Sequence, residues 1–457
     1  MLAFQRLFAG HWDRSSRWLQ FASYWFDVSV LEQFWSWSVG ITMVGAPRDV
    51  VLDDLALFIR RLNITHIDLT PSLARLLKPE EVPSMHRGVF ITGGEALKQE
   101  IINAWGPKMV VCNGYGPTEA TIGVTMNTFV GPDAKPSNIG HPFLNVGAYV
   151  LSPGTDEPVL RGAVGELCVS GKLVGKGYLN RPDLTANSFP YLDRLQAKVY
   201  RTGDLVRLLA DGSVSFIGRQ DSQAKLRGQR LEIEEIDSIL KGSSKEVTEA
   251  ISMVIKAGKG AREMLVSFLV TQGRSRARHL DFDKSDHAQE LVSQAGSACR
   301  DRLPPYMVPT HIIPVTILPL TVNNKVDAKR LVGLYNSLAA GDLQQLGRNS
   351  VSNRPLDSTG RKIGSVLSKF LSVDPEDLGY DTNVFSLGLS SISAITLATL
   401  LKRAGFPAAS VNVIMTSKSP SILLSDVADC HRSDSWRTLW STHSRSEARL
   451  GHGTQSD

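Results

Sequence analysis

The sequence predicts a mixed α/β protein in which a large α/β sheet domain is followed by a small α+β subdomain and a compact helical unit. Short apolar runs alternate with helical stretches between about residues 50 and 220, for example MVVCNGY (109–115) after ALKQEIINAW (96–105). This alternation is typical of an α/β sheet. Residues 229–335 mix helical and strand patterns in a shorter span, and the run SISAITLATLLKRAG further on has a single apolar helical face.

The small subdomain is introduced by a predicted hairpin. In VRLLADGSVSFIGR (206–219), Asp211 and Gly212 stand between two β-prone runs, as in a tight β-turn. LEIEEIDSIL then predicts a helix with an acidic start, EMLVSFLV predicts a strand, and the pattern through 287–302 predicts a second helix. A domain boundary is expected near residues 220–225.

The helical unit follows a stretch, at about 339–360, that is rich in Gly, Ser, Asn and Gln and therefore predicts a linker. In the helix of this unit, Leu397, Leu400, Leu401 and Ala404 are expected on one face, and Gly405 is expected to end it. The predicted divisions of the chain are 1–220, 221–336, the linker 337–360, the helical unit 361–430 and an unstructured tail 431–457.

Composition excludes several classes of protein. The chain has 457 residues, of which 42% are apolar, and its 50 basic and 45 acidic residues are spread along it without a basic block, so we expect no nucleic-acid binding. The four cysteines form no C-x-x-C pair, which argues against a zinc site or a disulfide framework. The sequence shows neither an apolar run of about 20 residues nor a secretory signal, so no membrane association is expected. A cytoplasmic location fits these features best.

A series of motifs in fixed order carries the strongest signal. They are FDVS (26–29), ITGGEAL (91–97), NGYGPTE (113–119), GELCVSGKLVGKGYLNRPDLTANSF (165–189), YRTGD (200–204), GRQDSQAKLRGQRLE (218–232), LPPYMVP (303–309) and LPLTVNNKVD (318–327). Together they resemble the adenylation domains of non-ribosomal peptide synthetases, in the acyl-adenylate-forming superfamily. The fold that this resemblance implies is the later part of the adenylate-forming large subdomain, a small α+β C-terminal subdomain and a four-helix-type carrier domain.

The resemblance implies a reaction in which a carboxylate attacks the α-phosphate of ATP and pyrophosphate leaves. Negative charge on the polyphosphate must be neutralised for this to occur. The implied nucleotide contacts come from Asn113, Tyr115, Thr118, Asp204 and Arg219, with Asp204 accepting from the ribose hydroxyls. Glu119 matches a ligand of Mg²⁺.

Two further positions match the moving part of such enzymes. Asp221 corresponds to the hinge about which the C-terminal subdomain rotates. Lys325 corresponds to the lysine whose ammonium bridges the substrate carboxylate and the α-phosphate. The family has Gly before this lysine, whereas this chain has Asn324.

The resemblance also implies an amino-acid pocket. Asp27 stands where amino-acid-specific members hold an acid for the α-ammonium of the substrate. The implied pocket is completed by Val28, Leu31, Asp68, Ile91, Gly93, Gly114, Ile122 and Gly123. Its glycines are expected to leave room for a long side chain and Asp68 to supply a polar contact. These features, with the similarity of FASYWFDVSVLEQFWSWSVG to ferrichrome-type siderophore synthetases, favour an ornithine-like or hydroxamate-bearing substrate.

A second signal, FSLGLSSISAI (385–395), resembles the carrier-protein motif and identifies Ser391 as the attachment site of a covalent 4′-phosphopantetheine. A helix start favours a phosphodiester there. The family more often has Gly-Asp before this serine, whereas this chain has Leu389-Ser390. Implied partners are the amino-acid substrate, a phosphopantetheinyl transferase and the condensation domains of a synthetase assembly line.

Three interpretations remain open from the sequence. The family's Gly/Ser/Thr-rich phosphate loop, expected before FDVS, is not found in the sequence. The sequence therefore leaves open whether this chain catalyses the reaction alone. The leading hypothesis is an amino-acid-adenylating and thiol-loading unit. The alternatives are a catalytically incomplete remnant that acts only as a carrier or docking protein, and an acyl-CoA ligase.

Overall fold

The computed structural model describes residues 1–220, 224–226, 229–257, 262–271, 279–321, 326–338, 358–371, 391–417 and the single residues 356, 378, 384, 389 and 423. Asp221, Lys325 and the predicted tail at 431–457 lie outside the described residues, as does most of the predicted linker. By their internal contacts the residues form two compact units, which divide near residue 338. The predicted domain boundaries remain predictions.

The first unit contains the β-strands of the described chain. In chain order they are β1 (Arg17–Gln20), β2 (Thr42–Gly45), β3 (His66–Leu69), β4 (Val89–Thr92), β5 (Val111–Tyr115), β6 (Thr125–Asn127), β7 (Asn138–Pro142), β8 (Gly147–Leu151), β9 (Val164–Ser170), β10 (Tyr191–Leu192), β11 (Ala197–Leu208), β12 (Val214–Arg219), β13 (Ala224–Leu226), β14 (Gln229–Leu231), β15 (Val247–Ala257), β16 (Arg262–Thr271) and β17 (His311–Val315).

The helices of both units are mostly short. They are α1 (Leu2–Leu7), α2 (Val28–Val39), α3 (Arg48–Asp53), α4 (Leu55–Arg61), α5 (Pro71–Ala74), α6 (Gln99–Trp105), α7 (Pro182–Ser188), α8 (Ile233–Lys241), α9 (Asp286–Arg302), α10 (Ala328–Ser337), α11 (Ser358–Leu371), α12 (Ser391–Arg403) and α13 (Val411–Thr416). Within the described part of the chain, no helix has the length and apolarity that crossing a membrane requires.

One large sheet dominates the first unit. Strands β2, β1, β3, β4 and β5 are parallel neighbours in that order, and β6, β7, β12, β11, β9 and β8 continue the sheet with antiparallel pairing. All four residues of β4 are buried, as expected of a central parallel strand covered on both faces. Because β3, β4 and β5 are parallel, their carboxyl ends meet at one edge, which is where ligands bind in such sheets.

The antiparallel part confirms the predicted hairpin. Strands β11 and β12 pair from Leu208 and Val214 back to Asp204 and Arg219, and Gly212 in the connection has a φ of 87°. A glycine adopts this left-handed conformation without steric cost. The hairpin thus determines which residues of YRTGD and GRQD lie opposite each other.

A small three-stranded sheet forms the later part of the first unit, with β15 antiparallel to β16 and β16 parallel to β17. Helix α8 buries Ile236 and Leu240, and α9 buries Leu291 and Ala295. The oxygen of Ser285 accepts the N–H of Ala288 and begins α9. The hairpin β13–β14 precedes α8. This sheet with its helices confirms the predicted small α+β fold.

The second unit is helical in its described residues. Its core includes Ile363 and Leu367 from α11 with Leu397 and Leu401 from α12. The predicted face of α12 is partly wrong, because Leu400 is only half-buried and Ala404 is exposed, while Ala394 and Ala398 are buried. The chain turns at Gly405, whose φ is 96°, as the sequence predicts.

Candidate nucleotide and substrate site

The register of one hairpin brings together the first two candidate residues. Asp204 of β11 is the direct partner of Arg219 of β12, and the Arg219 Nη1 atom donates to Asp204 Oδ1 at 2.7 Å. Asp204 is buried, and its own backbone N–H donates to Thr202 Oγ1 at 3.0 Å. An acid and a guanidinium at paired positions of an antiparallel ladder face each other, so this contact follows from strand register.

A third candidate reaches the same carboxylate from the parallel half of the sheet. Tyr115 is the last residue of β5, and its hydroxyl donates to Asp204 Oδ2 at 2.5 Å. Burial and the neighbouring carboxylate raise the pKa of Tyr115 well above its usual value. Among the described residues, Tyr115 and Arg219 donate to different oxygens of Asp204, and since a carboxylate offers about four acceptor positions, its acceptor capacity exceeds these two bonds.

The turn after β5 is too tight to accept a side chain at Gly116. A Cβ atom there would lie 2.2 Å from the carbonyl oxygen of Ile122. Thr121 and Ile122 both have positive φ angles, which non-glycine residues seldom adopt. This close approach bends the chain so that Thr118 and Glu119 lie in a one-turn helix, Thr118–Ala120, beside the site.

Two further polar candidates, Asn113 within β5 and Thr118 after it, have different surroundings. Asn113 is buried, and its amide nitrogen donates to the carbonyl oxygen of Asn138 at 2.8 Å, so this amide ties β5 to β7. Thr118 is exposed. The predicted nucleotide contact of Asn113 therefore has a competing structural partner.

Glu119 lies at the centre of a network that sequence reasoning missed. Its Oε1 atom accepts from the Tyr178 hydroxyl at 2.7 Å, and Nη1 of Arg230 lies 3.1 Å from Oε1 and 3.2 Å from Oε2. Burial alone raises the pKa of the Glu119 carboxyl, but the Arg230 guanidinium and the Tyr178 hydroxyl outweigh burial, and the net shift is downward. Arg230 and Tyr178 both stand within quoted motifs, yet nothing in their spacing indicates that they meet Glu119.

Two acids of the predicted substrate pocket are close enough to interact electrostatically. Asp27 immediately precedes α2, and no hydrogen-bond donor of the described residues reaches its buried Oδ2 atom. Asp68 lies in β3, where burial and the Asp27 charge raise its pKa to about 7. A buried carboxylate oxygen without a donor is unfavourable, so this place attracts a cation or a hydrogen-bond donor.

The apolar lining follows from adjacent strand ends. Asp68 and Ile91 are register partners in β3 and β4, and Leu31 of α2 belongs to the same buried cluster as Ile91. Val28 and Ile122 are half-buried. The structure thus places Asp68 and Ile91 on adjacent strands, with Leu31 and Ile122 packed in the same apolar cluster as Ile91.

The predicted glycines do not all border open space. A Cβ atom at Gly93 would lie 3.0 Å from the carbonyl oxygen of Gly114, and one at Gly114 would lie 3.4 Å from Met126 Cε. At Gly123 it would lie 2.9 Å from the ring of Phe143. At Gly123 close packing against an aromatic ring requires the small residue, and the expectation that these glycines leave room for substrate stays a prediction.

A buried acid within α2 was also missed. Glu32 of α2 is fully buried and accepts from the backbone N–H groups of Phe21 and Ala22 at 3.1–3.2 Å and from Gln20 Nε2 at 3.1 Å. Burial raises its pKa to about 8 despite these donors. A glutamate within an apolar helix is a usable sequence signal, and its contacts indicate that it holds the loop leading to Asp27.

Ser391 lies in the second unit, where it is the first residue of α12. This position agrees with the predicted helix start. The helix has 13 residues and carries Lys402 and Arg403 in its last turn, which matches the direction of its dipole.

Comparison with known proteins agrees with both parts of the chain. Residues 1–179 match the AMP-binding enzyme family, and residues 361–424 match the phosphopantetheine attachment site family. Among solved structures, the chain is similar to holo-PA1221, an NRPS protein containing adenylation and PCP domains, with a TM-score of 0.68 and 23% identity over 92% of this chain and 68% of that one. This likeness confirms the predicted fold. The Vibrio cholerae adenylation domain AlmE has a TM-score of 0.61 and 26% identity, covering 74% of this chain and 61% of that one.

Curated relatives are similar over nearly the whole chain. Nonribosomal peptide synthetase 2 of Cochliobolus heterostrophus is 55% identical over 91% of this chain, and the hydroxamate-type ferrichrome siderophore peptide synthetase of Schizosaccharomyces pombe is 43% identical over 93% of it. The chain spans only 8% and 9% of the lengths of these two relatives. The chain is therefore identified as a segment of the non-ribosomal peptide synthetase family in which an AMP-binding adenylation part is joined to a phosphopantetheine-attachment carrier domain.

Proposed function

We propose that the chain activates an amino acid as an aminoacyl adenylate and loads it onto the phosphopantetheine arm of its own carrier domain. The observation that carries this proposal is the convergence of Tyr115 and Arg219 on Asp204, with Glu119 at the start of the next turn. Such an arrangement presents an aromatic ring, a guanidinium and two carboxylates to one ligand. These are the groups that a nucleotide and its metal require.

The residues around Asp204 are suited to hold the nucleoside. The remaining acceptor positions of Asp204 would take the two ribose hydroxyls, and Arg219 keeps the carboxylate in its orientation. Lys325, which sequence resemblance assigns to the reacting phosphate, is proposed to neutralise the charge that develops as the substrate carboxylate attacks the α-phosphate and pyrophosphate leaves. In the second step the thiol of the phosphopantetheine arm attacks the acyl carbon, AMP leaves, and the thiol proton is released.

Glu119 fits the role of a metal ligand by its chemistry. Among the described residues, no group of three or more His, Cys, Asp or Glu side chains is placed to hold a metal. Mg²⁺ is commonly bound by one or two carboxylates together with phosphate oxygens and water, so a single glutamate suffices beside a nucleotide. When bound, Mg²⁺ supplies charge neutralisation on the polyphosphate. Tyr178 would orient the carboxylate through its hydrogen bond to Oε1.

Asp27 is proposed to bind the α-ammonium of the substrate. Its Oδ2 atom is buried without a donor from the described residues, which is unfavourable until a cation or donor arrives. This favours an amino acid over a fatty or aromatic acid. The raised pKa of Asp68 keeps that carboxyl partly protonated near neutral pH, so it can donate to a carbonyl or hydroxamate oxygen of an acylated hydroxyornithine side chain.

Amino-acid-dependent exchange of pyrophosphate into ATP tests the proposal, with the purified chain and a panel that includes ornithine and its N5-hydroxy-acyl derivatives. Exchange that is lost in Lys325→Ala and in Asp204→Ala, but kept in the exposed-site control Arg181→Ala, would support the proposal and name the substrate. Exchange with no acid, from a chain whose cooperative unfolding shows that it is folded, would leave the carrier-only alternative. Transfer to free coenzyme A would instead indicate an acyl-CoA ligase.

A further inference from the structure

The strand that carries Asp204 is irregular just before that residue. Strands β9 and β11 are paired on both sides of residues 202–204, but β9 contributes only Leu167 opposite these three residues of β11. Gly203 has a φ of 69°, in the left-handed region. Such a bulge bends a strand and turns a side chain in a new direction. The direction of the Asp204 side chain therefore depends on the 202–204 bulge.

Two buried side chains satisfy the backbone of the 202–204 bulge. The N–H group of Gly203 donates to Glu166 Oε1 at 3.2 Å, and the N–H group of Asp204 donates to Thr202 Oγ1 at 3.0 Å. The Thr202 hydroxyl in turn donates to the carbonyl oxygen of Leu167 at 2.8 Å. A buried N–H group without an acceptor is costly, so Glu166 and Thr202 stabilise the bulge in this conformation.

Arg201 fixes the orientation of the Glu166 carboxylate. Its Nη1 atom donates to Glu166 Oε2 at 2.6 Å, and the two side chains are 15% and 6% exposed. Its Nη2 atom donates to the carbonyl oxygen of Thr155 and lies 3.0 Å from Asp156 Oδ1. A charge-assisted hydrogen bond of this length is strong where water is scarce. Because the guanidinium holds Oε2, the Oε1 atom remains directed at the N–H group of Gly203.

We propose that Glu166 is a positioning residue for the nucleotide, which holds the 202–204 bulge and thereby sets the direction in which Asp204 presents its carboxylate to the ribose hydroxyls. This inference rests on the proposed role of Asp204 in binding ribose. Glu166 acts through the backbone beside Asp204, so its loss should impair recognition of the ribose hydroxyls more than recognition of the rest of the nucleotide. A residue that only supports the fold would affect all nucleotide ligands alike.

The test compares the dissociation constants of AMP and 2′,3′-dideoxy-AMP for the full chain by isothermal titration. Their ratio isolates the ribose hydroxyls, and the unmodified chain should bind AMP about tenfold or more tightly than the analogue, because hydrogen bonds to a charged group are strong. Glu166→Ala should lower this ratio about fivefold or more. Glu166→Gln should lower it less, because its single amide oxygen can still accept from one of the two donors that Glu166 has.

The control Asp156→Asn changes only the exposed end of the same network, where the Asp156 side chain is 54% exposed, and should leave the ratio unchanged. Thermal unfolding shows whether each variant is folded. Thr202→Val and Thr202→Ser test the bulge without disturbing the buried ion pair. The valine variant lacks the oxygen that accepts from Asp204 and should lower the ratio, whereas the serine variant keeps the hydroxyl and should preserve it.

Two results would overturn the inference in different ways. An unchanged ratio in Glu166→Ala and Thr202→Val, or an equal weakening of both ligands, would show that the bulge does not direct Asp204, and would leave the ribose role of Asp204 intact. Equal affinity of the unmodified chain for AMP and its dideoxy analogue, or no binding of AMP, would show that Asp204 does not bind the ribose hydroxyls. That part of the proposed function would then fail together with the inference.

Discussion

Arg219 lies directly opposite Asp204 in the antiparallel register of β11 and β12, with its Nη1 atom 2.7 Å from Asp204 Oδ1. The pairing depends on the turn at Gly212, because a shift of one residue in this hairpin would send the two side chains to opposite faces of the sheet. Tyr115 holds the other oxygen of the same carboxylate at 2.5 Å. A local hairpin and a distant parallel strand thus together orient one acid.

Replacing Asp204 with asparagine should weaken AMP binding about tenfold to hundredfold. The variant keeps the shape of the side chain but loses the negative charge that faces Arg219 and that would accept from ribose. Isothermal titration with AMP measures this loss. Tyr115→Phe, which removes one donor and leaves the charge, should cause a smaller loss, and equal binding by Asp204→Asn and the unmodified chain would contradict the assignment.

Gly116→Ala should lower the free energy of unfolding by about 2–3 kcal/mol. The added Cβ atom would lie 2.2 Å from the carbonyl oxygen of Ile122 and 2.7 Å from Gly123 Cα, and backbone atoms cannot move aside cheaply. Gly333→Ala is the matched control, because Gly333 lies in α10 with nothing within 4 Å of the new atom. That change should be neutral or stabilising by up to about 1 kcal/mol. Urea unfolding followed by tryptophan fluorescence compares the two variants.

Asp68→Asn should change how stability depends on pH. The pKa of Asp68 rises from 3.8 to about 7 on folding, so between these values the folded chain keeps a proton that the unfolded chain has released. Stability contributed by this carboxyl is therefore present below about pH 4 and is lost as pH rises towards 7. The unmodified chain should lose roughly 4 kcal/mol more than Asp68→Asn over this interval.

Urea unfolding at several pH values measures that difference. Asp183→Asn is the control, because Asp183 is exposed and its pKa is lowered by Arg181, which places its titration below the interval. Parallel pH profiles for Asp68→Asn and the unmodified chain would show that the Asp68 carboxyl is not protonated in the folded chain.

The sequence predicts those parts of the fold that depend on local pattern. Asp211 and Gly212 predict the hairpin, and the pattern through 287–302 predicts helix α9, which spans Asp286–Arg302. Motif order predicts which residues gather near Asp204. The turn and the helix are predictable because each depends on residues that are neighbours in the sequence, and each motif is likewise a short run of neighbouring residues.

Other parts of the site depend on contacts between distant segments. Nothing near Glu119 in the sequence indicates that Arg230, 111 residues later, reaches it, or that Tyr178 donates to the same oxygen. The partner of Asn113 and the aromatic ring behind Gly123 are likewise set by how strands pack. The sequence gives the chemistry of each side chain, whereas the protein groups that bond to it are known only from the fold.

Ser391→Ala should abolish phosphopantetheine attachment to the chain. The modifying transferase needs a hydroxyl at this helix start, and no other residue of α12 occupies the same position. Intact mass spectrometry after incubation with coenzyme A and a phosphopantetheinyl transferase measures the added group. Ser393→Ala, two residues along the same helix, should still be modified, and modification of Ser391→Ala would show that attachment occurs elsewhere.

Asp27→Asn should weaken amino-acid binding while leaving the chain as stable or more stable. In the absence of substrate, the Oδ2 atom of Asp27 is buried beside Asp68 with no donor from the described residues, so removing the charge relieves an unfavourable arrangement. With substrate, the same charge would pair with the α-ammonium, and its loss should reduce affinity about tenfold to hundredfold. Titration with an amino acid and with its des-amino analogue separates these effects.

The Asp27→Asn variant should lose its preference for the amino acid over the analogue, because the charge that pairs with the α-ammonium is gone. A binding site holds such a charge for its ligand, although folding alone does not favour it. Val28→Ala, which trims the neighbouring apolar wall, should weaken both ligands alike, and a preference retained by Asp27→Asn would place the ammonium site elsewhere.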